Sequence, residues 1–212
     1  MAKRTRLIGN VSTRKNDVRI VGDNMKRIYL SDYDGLQETC RLLEINGTEP
    51  GNISELLDGI HFCTVDSSHT DMYNPCKIPV KGYNYSFTKS LLWEVHDWEK
   101  FSEIVGCKQI WNLGCYLAPT RLGGINILTG RDVLPITCYK QATGIIGVTG
   151  EPMPNTMNMN MFNMYNPKPI DLGPYSAPFR SMMIRLQAMI SPDAIQGVSR
   201  FPNLYFTGII AD

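Results

Sequence analysis

From Lys108 onward, glycine and proline recur every few residues between short runs of β-branched and aromatic side chains. This punctuation constrains the fold more than any other feature of the chain. A helix interior tolerates neither residue well, whereas short strands joined by turns use both. The runs Ile110–Leu117, Ile125–Leu128, Val133–Tyr139, Ile145–Val148, Ser181–Ile190 and Leu204–Ile210 therefore read as strands. A regular alternation of strand and helix is missing, which argues against a doubly wound parallel sheet. The pattern predicts a mainly β fold, an antiparallel sandwich or jelly-roll-like barrel, with an α+β domain as the alternative.

The N-terminal half reads differently. Residues 1–17 are polar and irregular, and Val18–Val21 and Arg27–Leu30 predict two short strands around the turn Gly22-Asp23-Asn24. Two or three short helices are expected here. Asp34 caps the first, which runs to Ile45 with Leu36, Cys40 and Leu43 on one face and Gly47 beyond its end. Asn52 and Glu55 have capping-box spacing and start a second that stops at Gly59. Asp97 caps a third to Val105, with Trp98, Phe101 and Val105 at helical spacing and Gly106 after it. Ile60–Val65 and Tyr83–Phe87 read as strands around a loop at residues 66–82. The chain thus divides into a basic N-terminal arm with the first strands (residues 1–30) and a single β-rich domain (residues 31–212).

The charge is unevenly placed. Lys3, Arg4, Arg6, Arg14, Lys15, Arg19, Lys26 and Arg27 face only Asp17 and Asp23 in residues 1–30, so this stretch carries +6 and the rest −5. Such an arm suits an acidic protein surface or nucleic acid, and Lys3, Arg4, Arg6, Arg14 and Lys15 are its candidate contacts. An ordinary solvated terminus has the same composition. Only 19% of residues are charged, which leaves surface for contact with other proteins.

Nothing after Met1–Arg6 forms the apolar core of a secretory signal, and no run of about 18 apolar residues marks a membrane span. The expected location is a particle or the cytoplasm of the producing cell, with no membrane partner. In that setting the six cysteines stay reduced.

The chemical motifs are weak. His61, Cys63, His69 and Cys76 are zinc-type ligands within a short span, without a standard spacing. Asp66-Ser67-Ser68-His69-Thr70-Asp71 holds acid, base and hydroxyl groups, but no nucleophile elbow presents one of them, and turn chemistry accounts for the composition. Gly144–Gly150 lacks the lysine of a phosphate loop and reads as close chain crossings. Trp93 and Trp98 with acids between them suggest a sugar platform, or a tryptophan anchoring the helix that follows. No cofactor is expected.

Met157-Asn158-Met159-Asn160-Met161, continued by Phe162-Asn163-Met164, is the most unusual stretch. Its period of two puts methionines on one face of an extended segment and asparagines on the other, between prolines at 152, 154, 167 and 169. Methionine gives an adaptable apolar contact surface, so Met157, Met159, Met161, Phe162 and Met164 are candidate contacts with neighbouring chains, or the core side of an internal strand. The expectation is a structural, self-assembling protein of a virus or phage particle, a capsid or tail subunit. Its partners are copies of itself or other particle proteins, with nucleic acid as a further partner of the arm. Two rivals stand beside it: a metal-dependent or Cys/His hydrolase using residues 61–76, and a carbohydrate-binding module centred on the tryptophans.

Overall fold

Every residue of the run Lys89-Ser-Leu-Leu-Trp-Glu-Val95 is buried, its polar members included. A strand of this kind belongs in the middle of a sheet covered on both sides. Its neighbours bear this out. The computed structural model describes residues 4–9, 19–22, 25–45, 53–55, 60–64, 76–117, 123–132, 149–153, 168–200 and 204–211. Among these residues the strands are β1 (Arg4–Gly9), β2 (Arg19–Gly22), β3 (Met25–Tyr29), β4 (Cys40–Ile45), β5 (Ile53–Glu55), β6 (Ile60–His61), β7 (Cys76–Lys77) and β8 (Asn84–Tyr85). They continue with β9 (Lys89–Val95), β10 (Ile110–Leu117), β11 (Ile125–Asp132), β12 (Lys168–Asp171), β13 (Phe179–Arg180), β14 (Met183–Ile190), β15 (Gly197–Arg200) and β16 (Leu204–Ala211). The fold is mainly β, its large sheets are antiparallel, and the described residues hold one α-helix, α1 (Trp98–Val105).

A seven-stranded sheet runs β11-β14-β9-β4-β5, with β13 added to β9 and β8 to β14. A five-stranded sheet runs β12-β10-β16-β3-β2. A smaller sheet centres on β1, which pairs parallel with β15 and antiparallel with β6 and β7. The two large sheets share one core. Leu91, Trp93, Val95, Ile184 and Leu186 from the first meet Ile28, Ile110, Leu113, Leu117 and Phe206 from the second. Trp93 stacks on Phe206 at 5.4 Å between ring centroids and meets Phe179 edge-on at 5.8 Å. Leu43, Ile45, Leu92 and Met183 form a second buried cluster. Since Leu91 and Leu92 fall in different clusters, the seven-stranded sheet is buried on both faces there.

The third expected helix is present as drawn. Asp97 accepts a hydrogen bond from the Lys100 backbone N–H at its start, and Gly106 closes it in the left-handed conformation. The other two are corrected. Residues 34–45 contain one turn of 3-10 helix at Leu36–Glu38 and then β4, because Leu42 and Leu43 sit on opposite faces of a sheet and are both buried. The spacing of Leu36, Cys40 and Leu43 imitated a helix by joining a turn to a strand. Ile53–Glu55 is β5, paired antiparallel with β4 from Leu43↔Glu55 to Ile45↔Ile53. The N-terminal stretch expected to be irregular contains β1. β16 lies between β10 and β3, paired with β10 from Leu204 to Ile210 and with β3 from Thr207 to Ala211. Val133–Tyr139 and Ile145–Val148 lie outside the described residues.

Candidate functional site

Arg4 and Arg6 fall on β1, where Arg4 is opposite Lys77 and Arg6 opposite Val198. Lys3, Arg14, Lys15, Met157, Met159, Met161, Phe162 and Met164 lie outside the described residues, as do His69 and the segment Asp66–Asp71. Among the described residues, the candidate contacts are Arg4 and Arg6, two apart on one strand.

The remaining motifs are built into the core. Cys63 and Cys76 are fully buried, and the Cys76 thiol donates to the Phe62 carbonyl at 3.3 Å. Among the described residues no three His, Cys, Asp or Glu side chains are grouped to hold a metal ion. Cys40, Cys76, Cys107 and Cys115 are free thiols. Burial pushes Cys40 and Cys76 up to about 12 and Cys107 up to about 11, and it raises Cys115 as well. Thiols held protonated in this way are poor nucleophiles. Trp93, 5% exposed, is enclosed by Phe101, Phe179 and Phe206 and offers no open face to a sugar. Trp98 packs against the same core beside Phe101. Gly150 is a close chain crossing. Its N–H donates to the Thr64 carbonyl at 3.1 Å, and a Cβ there would lie 2.5 Å from the Ser86 carbonyl carbon. Next to it, Gln187 ties Met153 to β14 by accepting from the Met153 N–H at 2.7 Å and donating to the Ser86 carbonyl at 2.8 Å.

Glu94 anchors the best-organised charged cluster. Its carboxylate, with 10% of the side chain exposed, accepts from Arg41 Nε at 2.5 Å and from Arg180 Nε at 2.6 Å. Arg41 also lies 3.8 Å from Glu55, so one chain of charges crosses β13, β9, β4 and β5. Burial works to raise the Glu94 pKa, but the hydrogen bonds from Arg180 and Arg41 and their charges prevail and hold it below the usual carboxylate range. Each Arg meets Glu94 through its Nε, and Arg41 turns Nη1 to Glu55, so the arrangement clamps strands together. A depressed folded-state pKa gives stability that is full above the unfolded value and lost as pH falls through the folded one. The wild-type melting temperature should therefore drop on acidification below about pH 4.5, and Glu94→Gln should flatten that drop. Thermal unfolding of both proteins between pH 7 and pH 3 measures this. Parallel curves would remove Glu94 from the acid response.

At the end of the seven-stranded sheet among the described residues lies β11, with Ile125, Ile127, Thr129 and Gly130 buried. It pairs with β14 along its whole length, from Ile125↔Ile190 to Asp132↔Met183. Among the described residues its other edge has no partner strand. Its only charges, Arg131 and Asp132, are at one end, and Asn126 is exposed. At the other end, Ser191 N–H donates to the Gly124 carbonyl at 2.9 Å, and Ile195 N–H to the Gly123 carbonyl at 3.3 Å. The turn after β14 thus lies against the residues entering β11.

Sequence reasoning stopped this strand at Leu128 and passed over β9 with its Glu94. For β11 the signal was Thr129-Gly130, which resembles a turn. For β9 it was Lys89, Ser90 and Glu94, whose polarity concealed a buried strand. The chain matches no protein-family model, no curated protein and no solved structure, so its function has to be read from its own residues.

Proposed function

We propose that the chain is a structural, self-assembling protein, a capsid or tail subunit of a virus or phage particle, built as a β-sandwich of jelly-roll type. The observation that carries this reading is β11 as the terminal strand of the seven-stranded sheet among the described residues: eight residues, six of them uncharged, paired along their whole length with β14. A terminal strand of this kind is where an extended segment of a neighbouring copy can add. The sandwich reading rests on the core shared by the two large sheets. In this reading the basic residues Lys3, Arg4, Arg6, Arg14 and Lys15 and the segment Met157–Met164 contact neighbouring copies or other particle proteins, and the arm also accepts nucleic acid.

Light scattering coupled to size exclusion tests the reading. The full chain should elute as a large closed oligomer. Lysines at the edge repel an added strand without disturbing the core, so the double variant Asn126→Lys/Leu128→Lys should elute as a monomer with an unchanged melting temperature. A wild-type chain that stays monomeric at every concentration would sink the proposal.

A further inference from the structure

The register of the small sheet sorts its charges onto one face. Thr5 is opposite Cys76 and Gly9 opposite Ile60, and both partners are buried in the core shared by the large sheets. Residues 5, 7 and 9 of β1 therefore belong to the inward face, and residues 4, 6 and 8 to the outward one. On that outward face Arg4 is opposite Lys77, which is exposed, and Ile8 is opposite both His61 and Arg200. Arg4 and Arg6 on β1, Lys77 on β7 and Arg200 on β15 thus share one face of neighbouring strands. None of the four strands of this sheet carries an aspartate or glutamate.

This grouping costs stability unless an anion answers it. Like charges directly opposite each other in a sheet repel, as at Arg4 and Lys77. The whole chain carries only +1, so a face with four cations and no acid is a local excess. Strand pairing creates it from residues 4–6, 77 and 200, which are far apart in sequence. Arg4 and Arg6 stand about 7 Å apart along β1, with the other two cations on the strands to either side, an array suited to a chain of anions. Three of the four cations are arginines, whose planar guanidinium pairs with phosphate through two hydrogen bonds. Ile8 and Val198 are the large apolar members of the face, too few to enter a lipid surface.

We infer that the outward face of the small sheet, built from Arg4, Arg6, Lys77 and Arg200, binds the phosphate backbone of nucleic acid. This face extends the nucleic-acid contact read above for the arm, on which it rests, by two residues far from the arm in sequence, Lys77 and Arg200. Contacts to phosphate carry no base preference, so binding is independent of sequence and strongly dependent on salt.

Fluorescence anisotropy of the full chain with labelled oligonucleotides of mixed sequence, single-stranded and duplex, tests this, with thermal unfolding as the control for folding. Four phosphate contacts predict a slope of log affinity against log salt at least as steep as about −3 for single strands and about −4 for duplex. Lys77→Gln and Arg200→Gln should each weaken binding about fivefold at physiological salt, equally for every sequence, and make the slope shallower by about 1. Lys81→Gln, at an exposed lysine in the loop after β7 and outside the sheet, should cost far less. Binding that Lys77→Gln and Arg200→Gln leave intact in folded protein would overturn the inference and leave the arm as the contact. An equal loss from Lys81→Gln would also overturn it, since overall charge and not this face would then govern binding. A chain that binds neither oligonucleotide, or binds only vesicles of anionic phospholipid, would overturn both this face and the nucleic-acid contact of the arm, and self-assembly would still be judged by light scattering.

Discussion

Trp93→Ala should destabilise the protein by about 3–5 kcal/mol, the cost of emptying a large aromatic site that its surroundings cannot refill. Trp93 is at the centre of β9, the strand that joins β14 to β4, and its ring bridges the two large sheets by stacking on Phe206. Phe179 and Phe101 meet it edge-on, so the cavity would be walled by rings fixed on β13 and α1. Domains of this kind have only about 5–15 kcal/mol of stability in total, so the loss is large. Trp93→Phe keeps a ring against Phe206 and should cost less than half as much. Denaturant unfolding reads both effects as a shift in midpoint at unchanged slope. Equal losses for the two variants would mean that the indole does not bridge the sheets.

Gly124→Ala is the second large effect, and it arises from backbone geometry. Gly124 has a φ of 76°, and a Cβ placed there would come within 2.5 Å of the Ala194 backbone nitrogen and 2.6 Å of the Asp193 carbonyl carbon. Backbone atoms cannot swing aside as a flexible side chain can. The strain of a left-handed non-glycine residue and the overpacking each cost about 1–3 kcal/mol, so a combined loss of about 3 kcal/mol is expected. The damage should be local, because the turn at Ser191–Ile195 must lift off β11. Hydrogen exchange should show lost protection at the Ser191 and Ile195 amides, which donate to Gly124 and Gly123, before it shows any at β9. An alanine variant as stable as the wild type would contradict the close approach.

The legible parts of this fold were those in which local and tertiary preferences agree. Ile110–Leu117 reads as a strand from its own residues and is one. Asp97, the spacing of Trp98, Phe101 and Val105, and Gly106 state a helix and its ends within ten residues, and tertiary packing has nothing to override. Cys40–Ile45 went wrong for the opposite reason. A strand buried on both faces loses the alternation that identifies strands, and Leu42-Leu43 then fits a helix equally well. Glu94 was legible only as an acid near a helix start. Its partners Arg41 and Arg180 are far away in sequence, and only pairing of β9 with β4 and β13 brings them to it.

The placement of β16 between β10 and β3 has a consequence for how the protein is made. During synthesis Tyr29 leaves the ribosome long before Leu204, so β3 waits with one backbone edge unpaired by β16 while most of the chain is still being added. At ordinary elongation rates that wait is on the order of ten seconds or more. β1 waits in the same way for β15. The seven-stranded sheet, whose strands all precede Ser191, can pair while synthesis continues, whereas the five-stranded sheet stays divided until Leu204–Ala211 arrives to join β10 to β3.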